Sequence, residues 1–291
     1  MKTLSRGALA RFLGTAGIGA LASTVFASSA FAYGGAISNG DFSAPGTNGA
    51  NPTGWSKVTL GSDTTPYSYS INEYNSTGQY PPPAPLPAGA TWASEAFYDV
   101  GSTPGIDGAG GSQPVTGVNQ SEDPQVSYSV AQTFAPTPGN TVWAGAVFEV
   151  DFTSGTQSYV LRYFNPFTPT TGSYTGGPTS SGTTAYIVGT TLTNKTWYTQ
   201  PGSDLNSDIN SAFGLSTYTV TGVKYGDLED AITTTSSPYP NETSYWTLLS
   251  LNPGPGAQTP EFPVVVALPL AASALLGGTV VLRRRRSATA K

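Results

Sequence analysis

No cysteine and no histidine occur in the 291 residues, and there is a single methionine. Without cysteine no disulfide can hold the fold, so stability must come from a core of ordinary size. Without histidine neither a Ser-His-Asp nor a Cys-His nucleophile can be assembled, and the usual imidazole ligands of zinc are missing. Carboxylates are the general acids or bases that remain. Basic side chains are scarce too: between Tyr33 and Gln258 there are Lys57, Arg162, Lys195 and Lys224 against 16 Asp and Glu, a net charge of −12 that the whole-chain value of −5 conceals. So few cations cannot neutralise a phosphate backbone, which excludes nucleic acid as a partner. The acidic balance suits an exported, solvent-facing surface and is compatible with divalent cations.

The positive charge sits at the two ends. Lys2, Arg6 and Arg11 precede an apolar, small-residue run over residues 12–27, and Ala30-Phe31-Ala32 follows. Basic region, apolar region and small-residue site are the order of a secretory signal peptide, residues 1–32, with cleavage expected between Ala32 and Tyr33. At the other end residues 262–282 carry no charge. At about 1.5 Å per residue that stretch matches a hydrocarbon core about 30 Å thick, so it is expected to be a transmembrane helix. Pro269 should kink it, which membrane helices tolerate. Arg283, Arg284, Arg285 and Arg286 come next and are expected to stay cytoplasmic, with everything before Phe262 outside.

Pro260-Glu261-Phe262-Pro263, the apolar stretch and the Arg cluster resemble the tripartite C-terminal sorting signals of the PEP-CTERM type, which occur on bacterial surface proteins. The resemblance implies that residues 259–291 are either cut near Pro260 by a membrane transpeptidase or retained as an anchor. Leu268-Pro269-Leu270-Ala271-Ala272 departs from the sortase pattern, so sortase attachment to the wall is not expected. The implied partners are the membrane, through the C-terminal helix, and the export and sorting machinery.

Residues 33–258 read as one all-β ectodomain. In residues 126–134 Val126, Tyr128, Val130, Gln132 and Phe134 share a face; in residues 142–152 Val142, Ala144, Ala146, Phe148, Val150 and Phe152 do. The Pro136-Thr137-Pro138-Gly139-Asn140 turn between them predicts a hairpin. Further strands are expected over residues 55–60, 67–71, 92–98, 159–164, 185–188, 218–225 and 245–251, with a turn or two of helix in 204–213. Many strands separated by Gly, Pro, Ser and Thr, with no break in composition, predict a single β-sandwich or barrel.

The opening "AISNGDFSAPGTNGANPTGWSKV", residues 36–58, is similar to the Asn-Gly-Asp-Phe…Gly-Trp start of jelly-roll modules of the galactose-binding-like class, bacterial carbohydrate-binding modules among them. Physically, Asn39-Gly40 makes a tight turn, Phe42 enters the core and Trp55 closes it. "VSYSVAQTFAPTPGNTVWAGAVFEVDF" and the Trp197 segment resemble later strands of such folds. The resemblance implies a jelly-roll-like β-sandwich. Many members carry Glu after the Phe, where it helps hold a structural calcium; Ser43 stands there, leaving Asp41 as the candidate metal residue and a turn residue as the alternative. No other cofactor is expected.

The five tryptophans are expected mainly in the core. Tyr74, Tyr80 and Tyr174 lie among Asn, Gly and Pro and are the candidate ligand-binding residues, with "YPPPAPLP" holding Tyr80 stiffly. Glu149 and Asp151 share the non-apolar face of one strand, and Asp227, Glu229 and Asp230 cluster further on. A glycosidase needs two carboxyls across a cleft, which neighbours on one strand do not supply. The expected function is therefore that of a non-enzymatic cell-surface protein, exported and membrane-tethered or sorted, with carbohydrate or another surface polymer as candidate ligand. A structural or adhesive coat protein without a small ligand is the alternative, and a carboxylate-dependent hydrolase the third.

Overall fold

Alternation of apolar and polar residues turns the middle of the chain into strands, and the observed elements follow it closely. The computed structural model describes residues 36–43, 52–61, 66–75, 81–101, 105–136, 138, 141–231 and 241–253. Among them are eleven strands: β1 (Ser56–Gly61), β2 (Pro66–Tyr74), β3 (Ala93–Gly101), β4 (Gly105–Pro114), β5 (Pro124–Phe134), β6 (Thr141–Ser154), β7 (Gln157–Pro166), β8 (Thr184–Val188), β9 (Trp197–Asp204), β10 (Thr219–Ala231) and β11 (Asn241–Pro253). One helix, α1 (Leu205–Phe213), joins β9 to β10. Asp204 caps it by accepting from the backbone N–H of Asn206 and Ser207, and Gly214, at φ 70°, ends it.

The strands form two sheets, a six-stranded one in the order β1-β4-β10-β6-β7-β8 and a five-stranded one in the order β2-β3-β11-β5-β9. β7 and β8 run parallel; the other pairs are antiparallel. The chain changes sheet at every connection from β3 to β6 and again from β8 to β11, the crossing habit of a jelly roll.

The apolar core lies between the sheets. Ala144, Ala146, Phe148, Val150 and Phe152 of β6 are buried against Val126, Tyr128 and Val130 of β5 and Trp246 of β11. Tyr128 stacks on Phe148 at 5.5 Å between ring centroids. The opening motif behaves as its chemistry requires: Asn39 turns the chain at φ 52°, and Phe42 lies 5.9 Å from Trp55 and 5.4 Å from Tyr225, centroid to centroid.

Two expectations are corrected. β5 and β6 are not a hairpin. β5 pairs with β11 and β9 in one sheet, β6 with β10 and β7 in the other. Both strands have one strongly apolar face, and a hairpin would point the two faces the same way, whereas crossing the sandwich stacks them on each other and buries both. The second miss is β4, "GIDGAGGSQP", whose glycines hide any alternation. Its partners impose the strand. On Gly110 a Cβ would sit 1.7 Å from the Tyr225 carbonyl oxygen, so Gly110→Ala is expected to destabilise the fold by at least about 1–3 kcal/mol, read as a lower midpoint in urea.

The processing residues Ala30, Ala32 and Tyr33, the sorting residues Pro260, Glu261, Phe262, Pro263 and Arg283 to Arg286, the apolar stretch 262–282 and Tyr80 all lie outside the described residues. No helix among the described residues is long and apolar enough to cross a membrane.

Candidate functional site

The strand register lines up a polar row across the outer face of the six-stranded sheet. Lys224 of β10 stands opposite Glu149 of β6, Glu149 opposite Arg162 of β7, and Arg162 opposite Tyr186 of β8. Beside it runs a second row, Gly110, Gly226, Val147, Phe164 and Val188, in which two glycines leave the sheet without side chains.

Charge in the polar row is tightly paired. Glu149 is 1% exposed; its Oε2 accepts from Arg162 Nε at 2.6 Å and its Oε1 from Lys224 Nζ at 2.5 Å. Lys224 Nζ also reaches Asp151 Oδ2 at 2.8 Å, and these two side chains keep 24% and 25% of their surface in solvent. The two carboxyls are driven apart in acidity. Burial alone would raise Glu149, but the Arg162 and Lys224 charges outweigh it and hold the carboxyl below its ordinary range. Burial first, and then the charge of Glu149, push Asp151 up to about 6 despite Lys224.

Tyr186 joins this cluster to a buried aromatic pair, Phe164 and Trp143, against which it packs. Its hydroxyl accepts from Arg162 Nη1 at 2.6 Å, and the guanidinium carbon lies 5.4 Å from the ring centroid. The same ring lies 6.3 Å from Phe164 and 6.4 Å from Trp143, which meet edge to face at 5.3 Å. Beyond Phe164 a recess of about 420 Å³ opens between Trp143, Val188 and the segment carrying Pro169, Tyr174 and Pro178.

Of the residues singled out from the sequence, Tyr174 lines that recess, half-buried, with its hydroxyl donating to the Pro136 carbonyl at 3.0 Å. Tyr74 is placed differently from expectation. It ends β2 at 7% exposure and packs with Ala93 and Tyr245 on the outer face of the other sheet, since position 74 continues the alternation of β2 rather than leaving it. Leu86 and the Pro83 carbonyl, which accepts from Trp197 Nε1 at 2.7 Å, tie the proline-rich segment to that same face. Tyr74 and Tyr174 therefore do not converge. Asp41 sits in its turn, accepting from the Ser43 backbone N–H at 3.2 Å. No group of three or more metal-ligating side chains is found among the described residues.

Tyr186, Phe164, Arg162 and Lys224 were not picked out from the sequence as site residues. The available signal was the scarcity of bases: two of the four between Tyr33 and Gln258, Arg162 and Lys224, lie inside strands, where a cation needs an acid on the same face, and Glu149 and Asp151 supply it.

No family model matches the chain, and no curated protein matches it. Among solved structures it is similar to the xyloglucanase domain of NopAA, a type three effector from Sinorhizobium fredii, in complex with cellobiose, at 14% identity over 69% of this chain and 93% of that one, TM-score 0.43. A family 11 carbohydrate-binding module from Clostridium thermocellum aligns at 10% identity over 69% and 89%, TM-score 0.34. Endoglucanase 3 of family GH12 from Trichoderma harzianum aligns at 9% over 69% and 99%, TM-score 0.37. At such scores none of them carries a site or an activity over to this chain.

Proposed function

We propose that this is an exported cell-surface protein whose sandwich binds carbohydrate, without chemistry, on the outer face of the six-stranded sheet. One observation carries the reading: a solvent-reaching donor and acceptor, Lys224 Nζ and Asp151 Oδ2 at 2.8 Å, lie on the same face as the partly exposed Tyr186 ring, which packs on the buried Phe164 and Trp143 rings. Adjacent sugar hydroxyls take such a donor and acceptor together, while an aromatic face covers the C–H face of a pyranose. Glu149 has no part in cleaving a glycosidic bond, because both its oxygens are held by cations and it does not reach solvent. Export and retention at the surface, by cleavage and sorting or by a membrane anchor, are supported by the basic and apolar N-terminal run ending in Ala30-Phe31-Ala32 and by Pro260 to Arg286.

Affinity electrophoresis of the purified protein in gels containing cell-wall and plant polysaccharides tests the reading. Retardation by at least one polymer is expected, abolished by Tyr186→Ala and weakened by Asp151→Asn. A folded sample that no polymer retards would overturn the binding role and leave the structural coat; release of reducing sugar would replace it with a hydrolase.

Binding should also depend on pH. With Asp151 pushed up to about 6, its carboxylate is largely ionised at pH 7.5, and about a tenth remains so one unit below its pKa. Affinity is expected to fall toward tenfold between pH 7.5 and 5, and the fall should disappear in Asp151→Asn.

A further inference from the structure

The connection from β7 to β8 should be slack by composition, since apart from Tyr174 residues 168–183 are all Thr, Ser, Gly and Pro. It is pinned instead. Gln132 of β5, 1% exposed, gives its whole amide to Thr168: Nε2 donates to the Thr168 carbonyl and Oε1 accepts from the Thr168 N–H, both at 2.7 Å. The N–H groups of Thr175 and Gly176 donate to the Val142 carbonyl at 3.1 and 3.2 Å. The Tyr174 hydroxyl ties the stretch between them to Pro136. Ordering so many small residues costs conformational entropy, yet they do not close down on the sheet. They wall the recess of about 420 Å³ beyond Phe164.

That volume falls within the range of about 300–1,000 Å³ of small-molecule sites, and a recess with pinned walls is already formed before a ligand arrives. None of the described residues that line it is charged, although residues 33–258 carry −12. Tyr174, Pro169 and Pro178, all partly exposed, give it apolar walls. Val188 completes them and is 57% exposed, a large apolar side chain left to solvent at the end of β8.

The position of the recess relative to the polar row decides what can enter it. Lys224 and Tyr186 lie on β10 and β8, three strand spacings or about 14 Å apart, so a polymer that touches both must run across the strands. Val188 follows Tyr186 by two residues and stands opposite Phe164, which sets the recess about 7 Å to the side of that path. The segment from Pro169 to Pro178 bars a chain from running on through it.

We propose that the recess is a side-branch subsite: resting on carbohydrate binding at this face, it makes the ligand an uncharged, branched polysaccharide whose backbone crosses the strands over Tyr186 and Lys224 and whose branch sugar enters between Val188 and Tyr174. A sugar ring offers a C–H face to such apolar walls. A uronate or amino sugar would be desolvated there without a countercharge.

Calorimetric titration of the purified protein with paired oligosaccharides tests the subsite: cellohexaose, mannohexaose and xylohexaose, each against the same backbone carrying a single xylose, galactose or arabinose branch. The branched member of at least one pair is expected to bind about tenfold more tightly, the gain from burying about 60 Å² of apolar surface. Val188→Asp puts a charge on the wall at an exposed position, where the fold tolerates it, and should bring that ratio close to one; an unchanged urea midpoint checks the fold. Tyr186→Ala should weaken both members. Branched sugars that bind no more tightly than unbranched ones in every pair, or a preference that survives Val188→Asp, would overturn the subsite and leave binding at the face standing. A folded sample that binds no member of any pair would overturn both.

Discussion

Replacing Glu149 by alanine is expected to cost the fold about 3–5 kcal/mol, the usual penalty for removing one partner from a buried ion pair. The size follows from what is left behind. Arg162 and Lys224 both point at Glu149, on neighbouring strands, and without it Arg162, whose side chain is 13% exposed, keeps only the Tyr186 hydroxyl. Glu149→Gln should be nearly as costly, because it preserves the shape and removes the charge. Lys224→Met added to Glu149→Gln should recover part of the loss, since neighbours in one network do not add. For a domain of this size the single change corresponds to a fall in Tm of roughly 6–20 °C. The wild type should show the matching pH dependence. Its depressed Glu149 carboxyl contributes stability present above the ordinary carboxylate range and lost as the pH falls through the depressed value. A Glu149→Gln protein within about 1 kcal/mol of wild type would place the cluster among weak surface pairs.

How much of this was legible in the sequence depends on which forces write themselves into residue order. β5, β6, β7 and β10 could be read because burial of one face leaves a period of two, as in Ala144, Ala146, Phe148, Val150 and Phe152. Phe42 and Trp55 could be read because a turn and two aromatics around it form a local pattern. β4 could not: its strand state is imposed by β1 and β10, and glycine there serves close packing rather than propensity. The pairing of β5 with β11, 110 residues or so away in the chain, is equally non-local, so the short Pro-rich connection suggested a hairpin that the face-to-face packing of Tyr128 on Phe148 overrides. The candidate site was half visible. Glu149 and Asp151 on one face followed from their spacing, but the residues that decide their chemistry, Arg162, Tyr186 and Lys224, come from three other strands, and only register brings them into line.

Trp246→Ala is expected to be as damaging as the loss of Glu149, about 3–5 kcal/mol, for a different reason. Trp246 is fully buried and touches both layers, with its ring 5.5 Å from Tyr128 and 5.8 Å from Tyr225. Truncation leaves a cavity bounded by rings that lie on different strands and cannot all move inward at once, so little of it will close. It also removes the indole N–H that donates to Ser244 Oγ, the group that donates to Asp227. Trp246→Phe separates the two contributions. It keeps an aromatic ring but no donor, so a cost near that of alanine would mean that the polar chain through Ser244 and Asp227 fixes the sandwich as firmly as the packing does. A cost of about half, which the ring contacts favour, would make cavity formation the larger cause. Urea denaturation of both variants decides between them.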